Sequence, residues 1–439
     1  MAAGAAGAEP MAAAASGGVE PGETHGKLKV IPASTPMPPA APLAVLDLGT
    51  AKTVLAVCEE RDGALHYLAH GEVESRGLRK GQVVQLDFAT EAVKEAAAVV
   101  EARTGFPLER VFLSLTGAQP MALASQAGVA LASRSREVTR DDARRALELA
   151  RDLDLPSDRE MLHVLPQEFV LDGQGGVRDP VGMLASRLEA RVFILTVAAV
   201  AQHNAVLVAN RAGLEVEEII FAPLASAEIL LKAEDREMGV AVVDIGAGST
   251  SLMAYLHGAP FHATAIPVGG EHFTNDLAIA FNIPREEAER IKLAFGYATA
   301  ADINDATLVE TPSLAGRPAR ALPQRRICEC LESRARELTQ LLRDDLTRAG
   351  LLRGLGAGIY LTGGGGKLAG FAELLEEGLE MPVRMVAPEL VNGMPQSLAA
   401  PEYSFLDGAC CYGHRVRYHR PPPRKPWEKW LDRARRFLD

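Results

Sequence analysis

A short pattern occurs twice in this chain, once in each half. It consists of an apolar run, an aspartate, an aliphatic residue, a glycine, a few small or hydroxyl residues and a second apolar run. The copies read AVLDLGTAKTVLAV at 44–57 and AVVDIGAGSTSLMAY at 241–255. Each copy predicts a β-hairpin with a tight polar tip, because turn-forming residues separate two runs of strand-forming residues. The repetition predicts two similar α/β domains.

The two tips have the composition of phosphate-binding loops. Gly49, Gly246 and Gly248 allow the backbone to approach a ligand closely, and Thr50 and Ser249 add hydroxyl groups beside them. Backbone N–H and side-chain O–H groups gathered at one place suit phosphate oxygens. Taken alone, each tip is weak evidence, because an aspartate, an aliphatic residue and a glycine at the end of a strand usually form an ordinary turn.

The aspartates that precede the tips suit a magnesium ion. Asp47 and Asp244 each end a predicted strand, and Mg²⁺ prefers a few oxygen ligands while it keeps several waters. Two such tips facing each other would clamp a polyphosphate and its Mg²⁺ between two domains.

A third element, GIYLTGGGGKLAGFAELLEEGL at 358–379, predicts a strand, a glycine run and an amphipathic helix. Backbone without side chains can lie flat against a base or a phosphate. The run is not a P-loop, because Leu368 follows Gly366 and Lys367 where that motif needs Ser or Thr. A Rossmann fingerprint also fits poorly, since its glycines follow the first strand of a domain.

The segment IPREEAERIKLAFG at 283–296 predicts a helix that begins at Pro284. Glu289 and Lys292 lie three residues apart on one face of this helix. A surface ion pair and a ligand-binding pair both explain this spacing.

The C-terminus has a different character from the rest of the chain. The net charge of the whole chain is -11, yet nine Lys or Arg and only three Asp or Glu follow position 414. Three consecutive prolines in RYHRPPPRKP at 417–426 predict an extended spacer. The pattern of the last residues predicts an amphipathic helix suited to a membrane interface, with flanking arginines that can reach lipid phosphate. Its apolar stripe comprises Trp427, Trp430, Leu431, Ala434, Phe437 and Leu438, flanked by Arg433 and Arg435.

The composition of the chain limits the classes of protein to which it can belong. No apolar run reaches the roughly 18 to 20 residues that a membrane-spanning helix needs. Residues 1–42 are rich in Ala, Gly and Pro and lack the basic start of a signal peptide, which predicts a disordered extension. Five cysteines, an odd number, favour reduced thiols in a cytoplasm over a disulfide framework. For the basic tail, packing on the protein's own core and DNA binding remain alternatives to a membrane, although we expect no nucleic-acid partner.

The two tips and the glycine run, in this order, resemble the actin/Hsp70/hexokinase superfamily, in which two related domains close on ATP and Mg²⁺. The resemblance implies that the two tips bind the phosphates and that Asp47 and Asp244 hold Mg²⁺ through water. It also implies that the side chains of Glu289 and Lys292 contact the ribose and adenine. The implied nucleotide-binding residues are Asp47, Gly49, Thr50 and Lys52; Asp244, Gly246, Gly248 and Ser249; Glu289 and Lys292; and Gly363, Gly364 and Gly365.

Four further stretches are similar to the bacterial cell-division FtsA family: 75–96, 163–183, 213–231 and the second hairpin. The resemblance implies an actin-like ATPase fold with a 1C (SHS2-like) insertion in place of actin subdomain 1B. Inside the insertion, Thr139 and Asp142 predict a helix start. The implied divisions are 1A at 43–118 and 191–235, 1C at 119–190, 2A at 236–268 and 332–384, 2B at 269–331, a return to 1A at 385–414, a linker at 415–426 and the membrane helix at 427–439.

This family resemblance implies a protein that polymerises and tethers the FtsZ ring to the cytoplasmic face of the inner membrane at the septum. The FtsZ C-terminal peptide would bind 2B, where Arg317 and Arg320 offer cations, and later division proteins would bind 1C. A pilus-assembly scaffold and a small-molecule kinase or phosphatase of the same superfamily remain alternatives.

Slow or absent ATP hydrolysis is expected. The crossover FAPLASAEIL offers only Ser226 before Glu228, whereas related ATPases place an acidic or amide group near the γ-phosphate to orient water. The second tip also has Ala247 and Ser251 where relatives often have Gly and Asp. No catalytic residue is assigned.

Overall fold

The computed structural model describes residues 42–131, 135–311 and 320–419. Within these ranges, the first half of the chain is an α/β domain that carries an insertion. Its elements in chain order are β1 (Leu43–Leu48), β2 (Lys52–Arg61), β3 (Ala64–Glu74), β4 (Leu78–Arg79), β5 (Gln82–Val83), α1 (Leu86–Thr104), β6 (Arg110–Leu115), β7 (Met121–Ala130), β8 (Arg136–Glu137), α2 (Arg140–Arg151), β9 (Arg159–Leu171), β10 (Gln174–Val177), β11 (Leu184–Ala185), β12 (Arg187–Ala198), α3 (Ala199–Arg211), β13 (Glu215–Phe221) and α4 (Ala222–Leu230).

The first large sheet has the strand order β13-β6-β1-β2-β3. Strands β1 and β2 form the first predicted hairpin and pair antiparallel up to Leu48 and Thr53. Strands β6 and β13 add in parallel on the other side of β1. Parallel pairs need crossover connections, and α1 and α3 supply them, burying Val93 and Val208 against the sheet.

The second half repeats this plan. Its elements are α5 (Ala233–Met238), β14 (Val240–Ile245), β15 (Thr250–Leu256), β16 (Ala259–Ile266), α6 (Gly270–Phe281), α7 (Arg285–Phe295), β17 (Leu308–Thr311), β18 (Arg320–Pro323), α8 (Gln324–Arg348), β19 (Gly358–Thr362), α9 (Phe371–Leu379), β20 (Val383–Met385) and α10 (Ser404–His419), with 3₁₀ turns at Gly364–Lys367, Gln396–Leu398 and Pro401–Tyr403.

The second large sheet has the order β16-β15-β14-β19-β20. Strands β14 and β15 form the second predicted hairpin and pair antiparallel up to Ile245 and Thr250. Strands β19 and β20 extend the sheet in parallel from β14. Both sheets therefore consist of an antiparallel three-strand unit followed by two parallel strands. The prediction of two related domains is confirmed.

The insertion has a sheet and a core of its own. Strands β7, β9, β10 and β12 form an antiparallel sheet in the order β10-β9-β12-β7, and α2 packs on it through Ala146 and Ala150. Helix α2 begins as predicted: the Thr139 hydroxyl accepts from the Asp142 backbone N–H at 3.2 Å, and the Asp142 carboxylate accepts from the Thr139 N–H at 3.0 Å. Arg136 pairs with Asp142 at 2.7 Å, and its hydrogen bonds hold the pKa of that carboxyl far below its usual range.

Helices α4 and α10 lie together in the core that joins the two sheets. Leu224 and Leu406 are buried there with Val242 and Met253 of the second sheet. Helix α10 continues to His419, so residues 415–419 of the predicted 415–426 linker are helical, and that boundary was placed too early.

Two ion pairs explain why the helix continues. Arg415 binds Glu228 at 2.7 Å, and the Arg417 Nε donates to Glu217 at 3.2 Å. Both carboxylates belong to the first half of the chain, so they fix the last described turn of α10 against it.

Candidate nucleotide site

The first tip is a tight loop whose shape requires glycine. A Cβ added at Gly49 would lie 2.6 Å from the Lys52 carbonyl oxygen and 3.3 Å from an Asp47 carboxylate oxygen. The Thr50 hydroxyl accepts a hydrogen bond from the Gly81 N–H at 2.9 Å. The tip is therefore fixed by close backbone packing at Gly49 and by the hydrogen bond between Gly81 and Thr50.

The second tip is closed by the start of helix α6. The Gly246 N–H donates to the Ser249 carbonyl at 2.9 Å, and the Gly270 N–H donates to the Gly246 carbonyl at 2.9 Å. A Cβ at Gly269 would lie 2.5 Å from the Gly246 oxygen. The positive end of α6 therefore meets the tip, which favours a negative ligand beside it.

The two tips approach each other across the cleft. A Cβ at Gly248 would overlap the Thr50 hydroxyl and lie 2.9 Å from the Lys80 Cα. The site residues predicted from the two hairpins, far apart in sequence, thus lie at one place in the fold.

The glycine run lies behind the second tip. Thr362, which ends β19, is in register with Asp244. A Cβ at Gly365 would lie 2.9 Å from the Ile245 carbonyl oxygen and 3.0 Å from that of Gly246. At Gly364 the nearest atom would be the Glu402 Cβ at 3.7 Å, so this stretch of backbone presents an open surface. Gly363 has a φ of 85°, and a Cβ there would overlap the Asp244 carboxylate.

The two aspartates are electrostatically unusual. Burial raises the pKa of Asp47 to about 7, and the nearby Asp244 carboxylate contributes to the rise. Burial raises the pKa of Asp244 to about 6. Two half-buried carboxyl groups that repel each other are stabilised by a cation between or beside them.

Lys292 and Glu289 form a partly buried pair that faces the same cleft. The Lys292 ammonium lies 2.8 Å from Glu289, 2.9 Å from the Thr274 hydroxyl and 3.2 Å from the Gly270 carbonyl. A Cβ at Gly270 would lie 3.7 Å from this ammonium and 3.6 Å from the Gly365 Cα. Lys292 and Glu289 are therefore more than a surface ion pair, because the ammonium lies beside the start of α6, next to the glycine run.

Lys52 directly follows the first tip, and its side chain is already engaged. Its ammonium lies 3.3 Å from Glu72 and 3.4 Å from the centre of the Tyr403 ring. Thr274, Glu72 and Tyr403 were not predicted from the sequence. They contact site residues only through the fold, and no local motif marks them.

Two family models match parts of the chain, and one of them includes the second tip, helix α7 and the glycine run. The model of the cell division protein FtsA matches residues 241–408, and the model of the SHS2 domain inserted in FtsA matches residues 117–196. FtsA of Pseudomonas aeruginosa is 38% identical over 369 residues, which is 84% of this chain and 88% of that protein. FtsA of Escherichia coli K12 is 34% identical over 84% of this chain and 89% of its own length. FtsA of Bacillus subtilis is 30% identical over 79% of each chain.

The chain belongs to the FtsA family of cell division proteins. Its SHS2 match encloses the predicted 1C segment at 119–190. Membership also agrees with the repeated domain plan, so the predicted actin-like fold with an SHS2 insertion is confirmed.

Solved structures support the same fold at lower identity. The PilM–PilN type IV pilus biogenesis complex aligns at 19% identity with a TM-score of 0.60, over 84% of this chain and 98% of that chain. MreB5 of Spiroplasma citri bound to ADP aligns at 15% identity with a TM-score of 0.51, over 85% and 97%. At these identities the likeness concerns the fold alone, whereas the much closer relatives are division proteins.

The crossover segment FAPLASAEIL, residues 221–230 of this FtsA-family chain, offers no free acidic group to the cleft. The Glu228 carboxylate binds Arg415. The hydroxyls of Ser226 and Ser251 are buried, and neither has a hydrogen-bond partner among the described residues. No group of three or more His, Cys, Asp or Glu side chains is placed to hold a metal within 42–131, 135–311 and 320–419.

The remaining predicted residues lie elsewhere or outside the described ranges. Arg320 begins β18 and donates to the Phe281 carbonyl at the end of α6. Arg317 lies outside the described residues. No helix in the described part of the chain is both long and apolar enough to cross a membrane. The membrane-helix residues Trp427, Trp430, Leu431, Arg433, Ala434, Arg435, Phe437 and Leu438 also lie outside the described residues.

Proposed function

We propose that this FtsA-family protein binds ATP with Mg²⁺ in the cleft between its two sheets, polymerises, and tethers the FtsZ ring to the cytoplasmic face of the inner membrane at the septum. The observation that carries the proposal is the meeting of two glycine-bearing tips, two aspartates and a glycine run at one place. MreB5 of Spiroplasma citri, which has the same fold, was solved bound to AMPPNP and bound to ADP.

In this proposal the chain's own groups hold the nucleotide. The phosphates bind beside the two tips, where the positive end of α6 favours negative charge. Lys292 and Glu289 hold the ribose and adenine against the glycine run. Asp47 and Asp244 hold Mg²⁺ through water, and the ion would neutralise phosphate charge that the carboxylates otherwise repel.

Hydrolysis is slow or absent in this account. Phosphoryl transfer to water needs a group that orients the attacking water, and the Glu228 carboxylate is held by Arg415. The nucleotide then acts mainly by holding the domains closed, which shifts the population toward a polymerising form.

The C-terminal segment supplies the membrane contact. Residues 427–439 combine an apolar stripe with flanking arginines, and each basic residue near an anionic surface contributes on the order of 1 kcal/mol. Such a short helix binds reversibly as a single copy. A filament presents many copies, and their avidity makes attachment firm.

FtsZ binds the 2B region, and later division proteins bind 1C. Arg320 stands at the edge of the β17–β18 hairpin, where it can face an acidic peptide. Titration of a fluorescent FtsZ C-terminal peptide tests this, with Arg320→Glu expected to weaken binding. Arg326→Glu is the matched control, since Arg326 is exposed on α8 beyond the hairpin; an equal loss in both variants would argue against a specific role for Arg320.

Calorimetric titration of the purified full chain with ATP, with and without Mg²⁺, tests the nucleotide proposal. We expect saturable binding that Mg²⁺ strengthens, and very slow phosphate release in a coupled assay. Absence of ATP binding with Mg²⁺ present would overturn the proposal, and rapid turnover would overturn its claim about hydrolysis.

A further inference from the structure

The Lys52 side chain occupies a compact site that the nucleotide chemistry does not use. Its ammonium lies 3.3 Å from the Glu72 carboxylate and 3.4 Å from the centre of the Tyr403 ring. The Tyr403 hydroxyl donates to the same Glu72 oxygen at 2.7 Å. An aromatic face and a carboxylate both stabilise a cation, so another anion can bind the Lys52 ammonium only by displacing these contacts.

Tyr403 belongs to a turn that is fastened to the other half of the molecule. The Pro401 carbonyl accepts from the Thr362 hydroxyl at 2.6 Å and from the Gly363 N–H at 3.2 Å. Glu402 pairs with Lys367, at the end of the glycine run, at 2.9 Å. The turn therefore connects the first hairpin to the strand that lies beside Asp244.

Lys52 is also close to the place where phosphate would bind. It begins β2 directly after the first tip. Its positive charge lowers the pKa of the Asp47 carboxyl, an effect that opposes burial. Lys52 thus follows the first tip directly in the chain, while its ammonium contacts Glu72 and Tyr403.

We infer that Glu72 and Tyr403 form a resting site for Lys52, and that a polyphosphate at the first tip draws Lys52 away from it. The inference rests on the proposed nucleotide binding and adds a positioning role for two residues outside the phosphate tips. Departure of the ammonium removes its contact with the face of the Tyr403 ring. Because Ser404 begins α10, phosphate occupancy would loosen the first turn of the helix that leads to the C-terminal segment.

The Glu72 carboxylate should lower the affinity of the protein for a phosphate-bearing ligand, and the effect should grow with the negative charge of that ligand. Glu72→Gln keeps the side-chain shape and removes the competing charge. Partly exposed ion pairs contribute up to about 1 kcal/mol, so ATP should bind the variant about fivefold more tightly. ADP should gain less, and adenosine should not change. Calorimetric titration of the full chain with each ligand, with Mg²⁺ present, measures this series.

Glu109→Gln is the matched control. Glu109 is exposed, makes no side-chain hydrogen bond or ion pair with the described residues, and precedes β6 at the end of the sheet opposite the first tip. It should leave all three affinities unchanged. Equal ATP affinity in Glu72→Gln and Glu109→Gln, or an equal change for adenosine and ATP, would overturn the inference. Failure of the wild-type protein to bind ATP at all would instead overturn the proposed function and the inference together.

Hydrogen exchange tests the link to α10. In the wild type, ATP should speed exchange in the first turn of α10. Tyr403→Leu removes the ring and should give fast exchange without ATP, whereas Tyr403→Phe keeps the ring over Lys52 and should retain the response to ATP. Exchange in α10 that ATP does not alter, in a wild type that binds ATP, would overturn the link.

Discussion

The contact between the two tips gives a sharp prediction about Gly248. Its Cα approaches the Thr50 hydroxyl and the Lys80 backbone so closely that a Cβ would overlap the hydroxyl and lie 2.9 Å from both the Lys80 N and Cα. The Thr50 side chain can rotate away, but the Lys80 backbone cannot. Gly248→Ala therefore pushes the tips apart by a few tenths of an ångström.

The expected loss follows from the cost of overpacking. Adding a methyl group to a well-packed contact costs about 1–3 kcal/mol, which corresponds to an ATP affinity lower by about 5-fold to 150-fold. The loss concerns the closed form, because an open cleft accommodates the methyl group. Nucleotide binding should therefore fall more than the stability of the free protein.

Calorimetric ATP titration and thermal unfolding, each on the full chain, separate these two effects. Gly354→Ala is the control for the substitution itself, since it lies far from the tips in sequence and its Cβ would meet the end of the Leu256 side chain at 3.3 Å and the Leu351 carbonyl oxygen at 3.6 Å. We expect Gly354→Ala to bind ATP like the wild type. Wild-type ATP affinity in Gly248→Ala would refute the claim that closure of these two tips is needed for binding.

Three further predictions concern charged groups of the cleft. Mg²⁺-dependent ATP binding should weaken as the pH falls from 8 to 5.5, because the Asp47 carboxyl, whose pKa is about 7, takes up a proton. A carboxyl group whose pKa is raised by folding lowers the stability of the folded protein when it is ionised, so Asp47→Asn should raise Tm more at pH 8 than at pH 5, and an equal rise at both pH values would contradict this. Lys292→Ala should lower ATP affinity about tenfold or more, because charge-assisted hydrogen bonds contribute about 1.5–3 kcal/mol, while Arg290→Ala, exposed on the same helix, should not. Glu228→Gln should leave the slow ATP turnover unchanged, since Arg415 already holds that carboxylate; a tenfold fall in phosphate release would show that it acts on water.

The elements that depend on neighbouring residues could be predicted from the sequence. The two hairpins, the strand before the glycine run and the Thr139 helix start each follow from short-range turn and capping chemistry. Glu289 and Lys292 could be paired by their spacing, because one helical turn brings them together.

Contacts between distant parts of the chain could not be predicted in this way. Thr274 reaches Lys292 from another helix, and Tyr403 reaches Glu72 across most of the sequence. The helical end of α10 was missed for the same reason, since it depends on the ion pair of Arg415 with Glu228 on α4. A run of prolines is visible in a sequence, whereas a partner for the arginines before it is not.

Sedimentation with liposomes that contain anionic lipid measures whether nucleotide bound in the cleft strengthens membrane attachment through the C-terminal segment. The full chain should pellet with the liposomes, and more of it should pellet when ATP and Mg²⁺ are added. Trp430→Asp should abolish pelleting in both conditions while its calorimetric ATP affinity stays that of the wild type. Pelleting that does not respond to ATP, or that survives Trp430→Asp, would contradict the account.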